Sequence, residues 1–306
     1  MRILPGHVSA PDDLRGGAIA LGVMDGVHLG HQAVLADARE AAKRLGAPFA
    51  AVVFEPHPRN HFRPDAPPFR LQTPQQRARV LTALGADAVF QIPFNAEIAS
   101  LGDEEFSRVI LRDALGIKHV TVGFDFQYGQ GRQGRIESLR DQGKQFGFSV
   151  GVVAPVERNG EKVSSTAIRE RLSEGALDEA TAMLTRPWAI EGEVVHGQQR
   201  GRTIDFPTAN IALGAYQRPR FGVYAVRASV DGTSLNGVAN IGVRPTVGTD
   251  APLLEAHLFD FAGDLYGRTL EVEILSFIRP EQKFESFDAL KAQIGADAAE
   301  ARRRLA

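Results

Sequence analysis

Gly22-Val23-Met24-Asp25-Gly26-Val27-His28-Leu29-Gly30-His31 follows an apolar run, Ala18 to Val23, and opens a stretch in which Val34, Ala38, Ala41 and Leu45 recur at helical spacing. A short apolar run bounded by glycines reads as a buried parallel strand, so the chain turns here from strand to helix. A helix N-terminus offers unpaired N–H groups and the positive end of a dipole, and glycines let a phosphate approach the main chain. His28 and His31 stand three residues apart, which puts both imidazoles on one face of the first turn, able to donate to a polyphosphate. The competing reading is a glycine turn with two surface histidines.

Outward from that stretch, strands and helices alternate. Phe49 to Phe54 is a second apolar run, ending at Glu55-Pro56-His57-Pro58-Arg59. Pro56 to Pro68, rich in proline and aromatics, reads either as a loop walling a pocket for a flat ring or as a plain linker. Helical spacing resumes over Pro74 to Leu84 behind Thr73 as cap, and again from about Asp103 to Leu115 and from Ser138 to Phe146. Ala86 to Pro93, His119 to Phe126 and Gly147 to Pro155 read as strands. The alternation predicts a parallel, doubly wound sheet with ligands at the strands' carboxyl ends. Two later segments belong to that edge. The glycine-rich loop Gly129 to Gly134, with Arg132 and Arg135, is a mobile phosphate cover or a hairpin tip. Val163-Ser164-Ser165-Thr166-Ala167-Ile168-Arg169 places hydroxyls at a helix start, as caps or as phosphate donors, with Arg169 one turn on.

After Trp188 helical periodicity stops, proline and glycine become frequent, and a boundary is expected near Arg186 to Ala189. Strand-like runs follow at Glu191 to His196, Gly222 to Val230, Leu235 to Ile241, Leu253 to Phe261 and Leu270 to Phe277. In the last, Leu270, Val272 and Ile274 alternate with Glu271 and Glu273, the half-buried antiparallel pattern. A small closed barrel satisfies these runs. Phe287, Leu290 and Ile294 predict a covering helix from Ser286. Gly197 to Arg202 is a basic turn between glycines, and Thr208 and Asn210 supply neutral oxygens two residues apart. In an extended segment they share a face and suit a hard cation such as Mg2+; a polar Asx-type turn is the other reading. Glu255 is an acid inside an apolar run. Facing a pocket it can take a proton from an alcohol; facing solvent it is an ordinary strand residue.

Composition narrows the class. The 306 residues point to about two domains, and 43% hydrophobic with 24% charged side chains is ordinary for a globular protein. With 35 basic and 37 acidic residues the net charge is -2, so no strongly basic surface invites nucleic acid. The absence of cysteine excludes disulfides, thiolate metal sites and a cysteine nucleophile. Met1 to Pro11 lacks a cationic head and apolar core, and no stretch has the length of a membrane span, so a cytoplasmic protein without a membrane partner is expected.

Gly-x-Met-Asp-Gly-Val-His-x-Gly-His, Phe-Glu-Pro-His-Pro-Arg, Gly-x-Asp-Phe-x-Tyr-Gly and Ser-Ser-Thr-x-Ile-Arg, in this order, resemble the adenylyltransferase module of prokaryotic bifunctional riboflavin kinase/FAD synthetases. The second half, with Gly-Arg-Thr-Ile-x-Phe-Pro-Thr-Ala-Asn-Ile, Gly-Val-Ala-Asn-Ile-Gly-x-Arg-Pro-Thr and Leu-Glu-x-His-Leu-Phe-Asp-Phe, resembles that family's riboflavin kinase module. The resemblance implies an α/β plus β architecture. A nucleotidylyltransferase-type, Rossmann-like doubly wound sheet would occupy residues 1–186, and a small antiparallel β-barrel with a C-terminal helix residues 187–306. It implies ATP over His28 and His31, with Gly22, Asp25, Gly30, Asp125, Ser164 and Ser165 around it and Arg169 closing on its phosphates. Pro56, Pro58, Phe62 and Tyr128 would border the flavin. In the kinase half it implies Gly197, Gly201, Arg202, Thr208 and Asn210 on nucleotide phosphates, with Thr208 and Asn210 holding Mg2+. Glu255 would be the general base and Arg279 part of a loop near the flavin.

Three positions depart from the family pattern: Met24 where phenylalanine is usual, Asp125 where asparagine is frequent, and Asp205 where glycine is usual. An acidic Asp125 weakens phosphate binding unless it faces the ribose or Mg2+. The implied function is phosphorylation of riboflavin to FMN by ATP, then adenylylation of FMN to FAD with release of pyrophosphate. Its partners are small molecules, and a monomer or weak homo-oligomer is expected. Two alternatives remain at this point: another His-x-Gly-His nucleotidylyltransferase, which leaves the second half unexplained, and a non-catalytic flavin-binding protein.

Overall fold

The computed structural model describes residues 1–196, 206–243 and 251–306. The chain forms two compact units, Met1–Pro67 with Pro74–Ser164, and Pro68–Thr73 with Ser165–Ala306.

In the first unit, β1 (Ile3–Pro5), β2 (Ala18–Leu21), β3 (Phe49–Phe54), β4 (Ala88–Ile92), β5 (His119–Gly123) and β6 (Ser149–Val153) form a parallel sheet in the order β1-β4-β3-β2-β5-β6. Helices α1 (Leu29–Leu45), α2 (Pro58–Phe62), α3 (Pro74–Ala83), α4 (Ala96–Ser100), α5 (Asp103–Phe106) and α6 (Ile136–Phe146) connect them, and a two-stranded hairpin, β7 (Glu157–Arg158) with β8 (Glu161–Lys162), follows. Both sheet faces are covered, which is why β2 and β3 read as continuous apolar runs. Ala18, Ala20, Ala51 and Val53 pack with α1 residues Val34 and Ala38, while Ile19, Leu21, Val52 and Phe54 pack on the opposite face with Phe106 and Ile110. Leu45, expected on the apolar side of α1, is instead 48% exposed in the last turn before Gly46, whose left-handed φ of 61° ends the helix.

The strand order locates the ligand crevice. From β2 the chain adds β3 and β4 on one side, then crosses to place β5 and β6 on the other. The order therefore reverses beside β2, and the loop leaving its carboxyl end opens at the switch point of the sheet. Gly22 to His28 is that loop, with Gly30 and His31 in the first turn of α1.

One predicted helix is altered. After α5 the chain widens to π spacing over Ser107–Ala114, with Leu115 N donating to Ile110 O at 2.9 Å. Ser107, fully buried there, donates to Gln142 Oε1 at 2.7 Å, and the Tyr128 hydroxyl donates to the same oxygen at 2.6 Å.

In the second unit, α7 (Ser165–Glu174) and α8 (Leu177–Leu184) precede the strands β9 (Trp188–Val195), β10 (Ala209–Ala212), β11 (Gly222–Val230), β12 (Thr233–Val243), β13 (Pro252–Leu258) and β14 (Thr269–Pro280). These six close an antiparallel barrel in the order β10-β13-β12-β11-β14-β9, and α9 (Phe287–Leu305) packs on β11, β12 and β14. Leu270, Val272 and Ile274 are buried, as their alternation predicted. Ser286 caps α9, its Oγ accepting from Ala289 N at 3.1 Å.

The compact second unit begins earlier than the composition shift at Trp188, because α8 packs on β9 and β14. Segment 68–73 also joins it: Trp188 Nε1 donates to Leu71 O at 2.8 Å, and Arg70 N to Ala215 O at 2.9 Å.

Candidate functional site

In the first unit the strand-to-helix turn is built from unusual backbone. Met24, Gly26 and Val27 have φ of 52°, 89° and 43°, all left-handed. Glycine adopts this freely, but for methionine and a β-branched valine it is a strained state, of order 1–3 kcal/mol each, held only by the surroundings. Met24 and Val27 are buried at 1% and 0% exposure, so their side chains anchor the turn from below. The turn delivers His28 to the N-cap of α1, where its Nδ1 accepts from Gly30 N at 3.1 Å. An accepting Nδ1 leaves the ring proton on Nε2, the form that donates to an anion. A Cβ on Gly30 would stand 3.1 Å from the His28 ring, so a side chain there would press on the imidazole. The rings of His28 and His31 stack at 3.7 Å with 23° between planes. Asp25, 3% exposed, lies within this turn.

Across the switch point, β5 ends at Gly123, and Asp125 follows it. Its Oδ2 accepts from Lys162 Nζ at 2.8 Å, and Lys162 also lies 4.4 Å over the Phe124 ring. The unwelcome carboxylate thus carries its own counter-ion, supplied by the β7–β8 hairpin. Pro58 opens α2, Pro56 is exposed, and Phe62 is 63% exposed with its edge against Phe94, ring centroids 5.7 Å apart.

Tyr128, expected beside the flavin, is 6% exposed and stacked on Phe126. Burial raises its phenol pKa. The Gly129 to Gly134 loop is closed at its base, with Gln130 to Gln133 exposed at its tip. Tyr128 and Gly134 exchange backbone hydrogen bonds, and a Cβ on Gly129 would meet Asp103 N at 2.7 Å. Ser164 ends the first compact unit. Ser165 opens α7 in the second, where Arg169 Nε donates to Phe69 O at 2.7 Å and the guanidinium lies over the Phe69 ring.

In the second unit a cavity of about 950 Å³ is lined by Thr208, Asn210, Asn240, Glu255, Arg279 and Asp297, among others. Strand register explains why residues so far apart converge. Asn210 pairs with Glu255, Glu255 with Asn240, Asn240 with Val223, and Val223 with Arg279. Cross-strand partners share a face, so one row runs around the barrel from β10 to β14 with Glu255 between two asparagines. Asn210 and Glu255 are 4% and 9% exposed, so of the two readings of Glu255 the pocket-facing one holds. Asn210 Nδ2 donates to Thr208 O at 3.3 Å, which turns its Oδ1 the other way. Two residues beyond Glu255 on the same strand, His257 Nδ1 donates to Pro207 O at 2.9 Å and tethers the segment carrying Thr208. At the far end of the row, Arg279 grips Asp297 of α9 with Nε–Oδ1 at 2.8 Å and Nη2–Oδ2 at 2.6 Å.

Asn240 was not singled out from the sequence. A polar residue inside the apolar run Val238 to Ile241 was the signal for it, and only the register gives it meaning. Gly197, Gly201, Arg202 and Asp205 lie outside the described residues. Among the described residues no helix is long and apolar enough to cross a membrane.

Comparison with known proteins bears on both halves. The FAD synthetase family model matches residues 10–167, and the riboflavin kinase family model matches residues 184–305. A bifunctional riboflavin kinase/FMN adenylyltransferase of Pseudomonas fluorescens is 45% identical over 303 residues, covering 99% of this chain and 97% of its own. The protein of the same description from Escherichia coli (strain K12) is 40% identical over 304 residues, with coverage of 99% and 97%. Among solved structures, a Streptococcus pneumoniae chain described as a macrolide-efflux protein is similar with a TM-score of 0.87 and 31% identity, over 99% of each chain. That description is said of that protein alone; the likeness to this chain is one of fold. With both modules matched in order and close relatives aligned nearly end to end, the chain belongs to the bifunctional riboflavin kinase/FMN adenylyltransferase family.

Proposed function

We propose that the two activities of the family are divided between the two halves, FMN adenylylation by residues 1–186 and riboflavin phosphorylation by residues 187–306. The chain phosphorylates riboflavin to FMN with ATP, then transfers the adenylyl group of a second ATP to FMN, giving FAD and pyrophosphate. The kinase assignment rests above all on Glu255, held between Asn210 and Asn240 on the inner row of the cavity.

In the kinase step Glu255 accepts the proton of the riboflavin 5'-hydroxyl as that oxygen attacks the γ-phosphorus of ATP, and ADP leaves. The neutral oxygens of Thr208 and Asn210, which line the same cavity as the Glu255 carboxylate, are a donor set suited to a hard cation, so these two residues would hold Mg2+. When bound, Mg2+ offsets the charge of the nucleotide phosphates. Arg279, fixed by Asp297, is assigned to the wall near the flavin. Gly197, Gly201 and Arg202 are assigned to phosphate contacts by resemblance.

In the adenylylation step the FMN phosphate attacks the α-phosphorus, and no protein nucleophile is needed. The site has to align the two phosphates and stabilise charge on the departing pyrophosphate. His28, with its proton on Nε2, and His31 at the start of α1 are assigned to that charge, with Gly22, Asp25, Gly30 and Ser164 around the nucleotide. Ser165 and Arg169 keep the phosphate role that the motif implies. Pro56, Pro58 and the exposed Phe62 are assigned to the flavin ring. Asp125, paired with Lys162, is assigned to the nucleotide away from its phosphates. We place the protein in the cytoplasm, where ATP serves both steps, as a monomer or weak homo-oligomer.

Incubating the purified protein with riboflavin, ATP and Mg2+ and resolving the products by chromatography tests this reading. FMN followed by FAD is expected. FMN alone would remove the adenylylation assignment, and no product would favour a binding protein.

A further inference from the structure

Arg77, on α3, is 1% exposed, yet no step above uses it. Its guanidinium gathers three acceptors. Nη1 donates to Val23 O at 2.9 Å, Nη2 to Phe54 O at 3.2 Å, and Nη2 to Glu55 Oε2 at 2.9 Å. Each marks a place where a strand gives way to a loop of the crevice. Val23 is the last residue before the left-handed turn that carries His28. Phe54 ends β3, and Glu55 begins the Pro56 to Phe62 segment assigned to the flavin.

A planar guanidinium with five donors in a fixed fork can hold several acceptors in one plane, which a single ammonium cannot. The turn it holds needs holding: Met24 and Val27 sit at φ of 52° and 43°, a state their side chains disfavour. Below them the core blocks inward movement, and Gln32 Nε2 fastens the far end by donating to Val27 O at 3.0 Å. Arg77 fastens the near end.

We propose that Arg77, charge-paired with Glu55, is a positioning residue for FMN adenylylation, locking the strained His28 turn to the start of the flavin-side loop so that both reactants meet in fixed register. The proposal rests on the reading of the His28–His31 turn as the adenylylation site. It assigns Arg77 no contact with substrate. Its effect should appear in kcat, because a loosened turn binds ATP but misaligns it, and a displacement of about 1 Å can lower the rate about a hundredfold.

The test uses the full chain carrying Arg77→Lys, Glu55→Gln or His28→Ala, assayed for FAD formation from FMN, for riboflavin phosphorylation, and for thermal unfolding. Arg77→Lys should lower adenylylation kcat about a hundredfold, with KM for ATP changed less than about threefold and kinase activity within about twofold of wild type. Glu55→Gln, which keeps an oxygen for Arg77 but loses the charge, should lower kcat about tenfold, and it decides the matter if Arg77→Lys does not fold. Adenylylation within about twofold of wild type in the folded variants overturns the proposal, as does an equal fall in both activities, the mark of a merely structural role. If His28→Ala retains adenylylation, the reading of the site has failed; if it loses it while Arg77→Lys does not, only the inference about Arg77 has.

Discussion

The two units build their sites in opposite ways. In the first, the histidines assigned to ATP sit at the carboxyl end of a parallel strand, contiguous in sequence and following strained backbone at Met24 and Val27. In the second they sit on strands, in relaxed extended backbone, brought together from four segments by barrel register. A loop site can be carried by one motif and is held by clamps on its strained turn; a strand site is ordered by register, with Arg279–Asp297 and His257–Pro207 fixing its ends, and exists only when the barrel closes. The first should therefore respond to changes in its supporting residues by losing rate, the second by losing stability and rate together.

The largest effect should come from Glu255→Ala. Loss of a general base lowers FMN formation about a thousandfold, while FAD formation from supplied FMN stays within about twofold. A parallel loss of both activities would break the division between the units. His28→Ala should lower FAD formation about a hundredfold through lost charge stabilisation, leaving the kinase untouched, as steady-state rates on the two substrates would show.

Asp297→Ala separates strand-site from loop-site behaviour. The Arg279–Asp297 pair is largely buried, with side chains 19% and 6% exposed. Removing one partner leaves a buried charge, so denaturant unfolding of the second unit should lose about 3 kcal/mol and the KM for riboflavin should rise. Unchanged stability would mean that α9 is held without this pair.

The smallest effect concerns the first unit. Burial pushes the His119 imidazole below its ordinary value of 6.5, with Asp37 pulling the other way. Its ring contacts Ser149 Oγ at 2.8 Å and Thr121 Oγ1 at 3.0 Å. The folded state thus prefers the neutral ring, and on acidification the unfolded chain takes up the proton first. Stability from this group is fully present above 6.5 and is lost as the pH falls through the folded value. The melting temperature should fall between about pH 7 and about pH 5 by less in His119→Gln than in wild type. Equal falls would clear His119 of any part in it.

The same contrast explains what could be read from the sequence. The parallel sheet and the His28 turn were legible because apolar runs, glycines and histidines lie together in the chain. The barrel was legible as a set of alternating runs, but β10 was not, since four residues are too few to show a periodicity of their own. Asn240 carried only the signal of a polar residue in an apolar run, because its placement beside Glu255 is set by register, which no local pattern reports. Tyr128 sat in a motif and yet is buried, because Gln142 Oε1, itself buried, accepts from its hydroxyl and from Ser107 together, a pairing no sequence rule reports. Arg77 looked like any helical arginine; only the ends of β2 and β3 arriving beside it gave it a task.

On the proposed division, one chain holds two independently working sites that share FMN as product and substrate. Mixing the Glu255→Ala and His28→Ala variants with riboflavin, ATP and Mg2+, and measuring FAD against each variant alone, tests it most directly. FAD should form in the mixture at least about tenfold faster than with either variant by itself, because FMN made by one chain is adenylylated by the other. FAD formed as fast by either variant alone as by the mixture, or no gain from mixing while wild type makes it, would contradict two independently working sites.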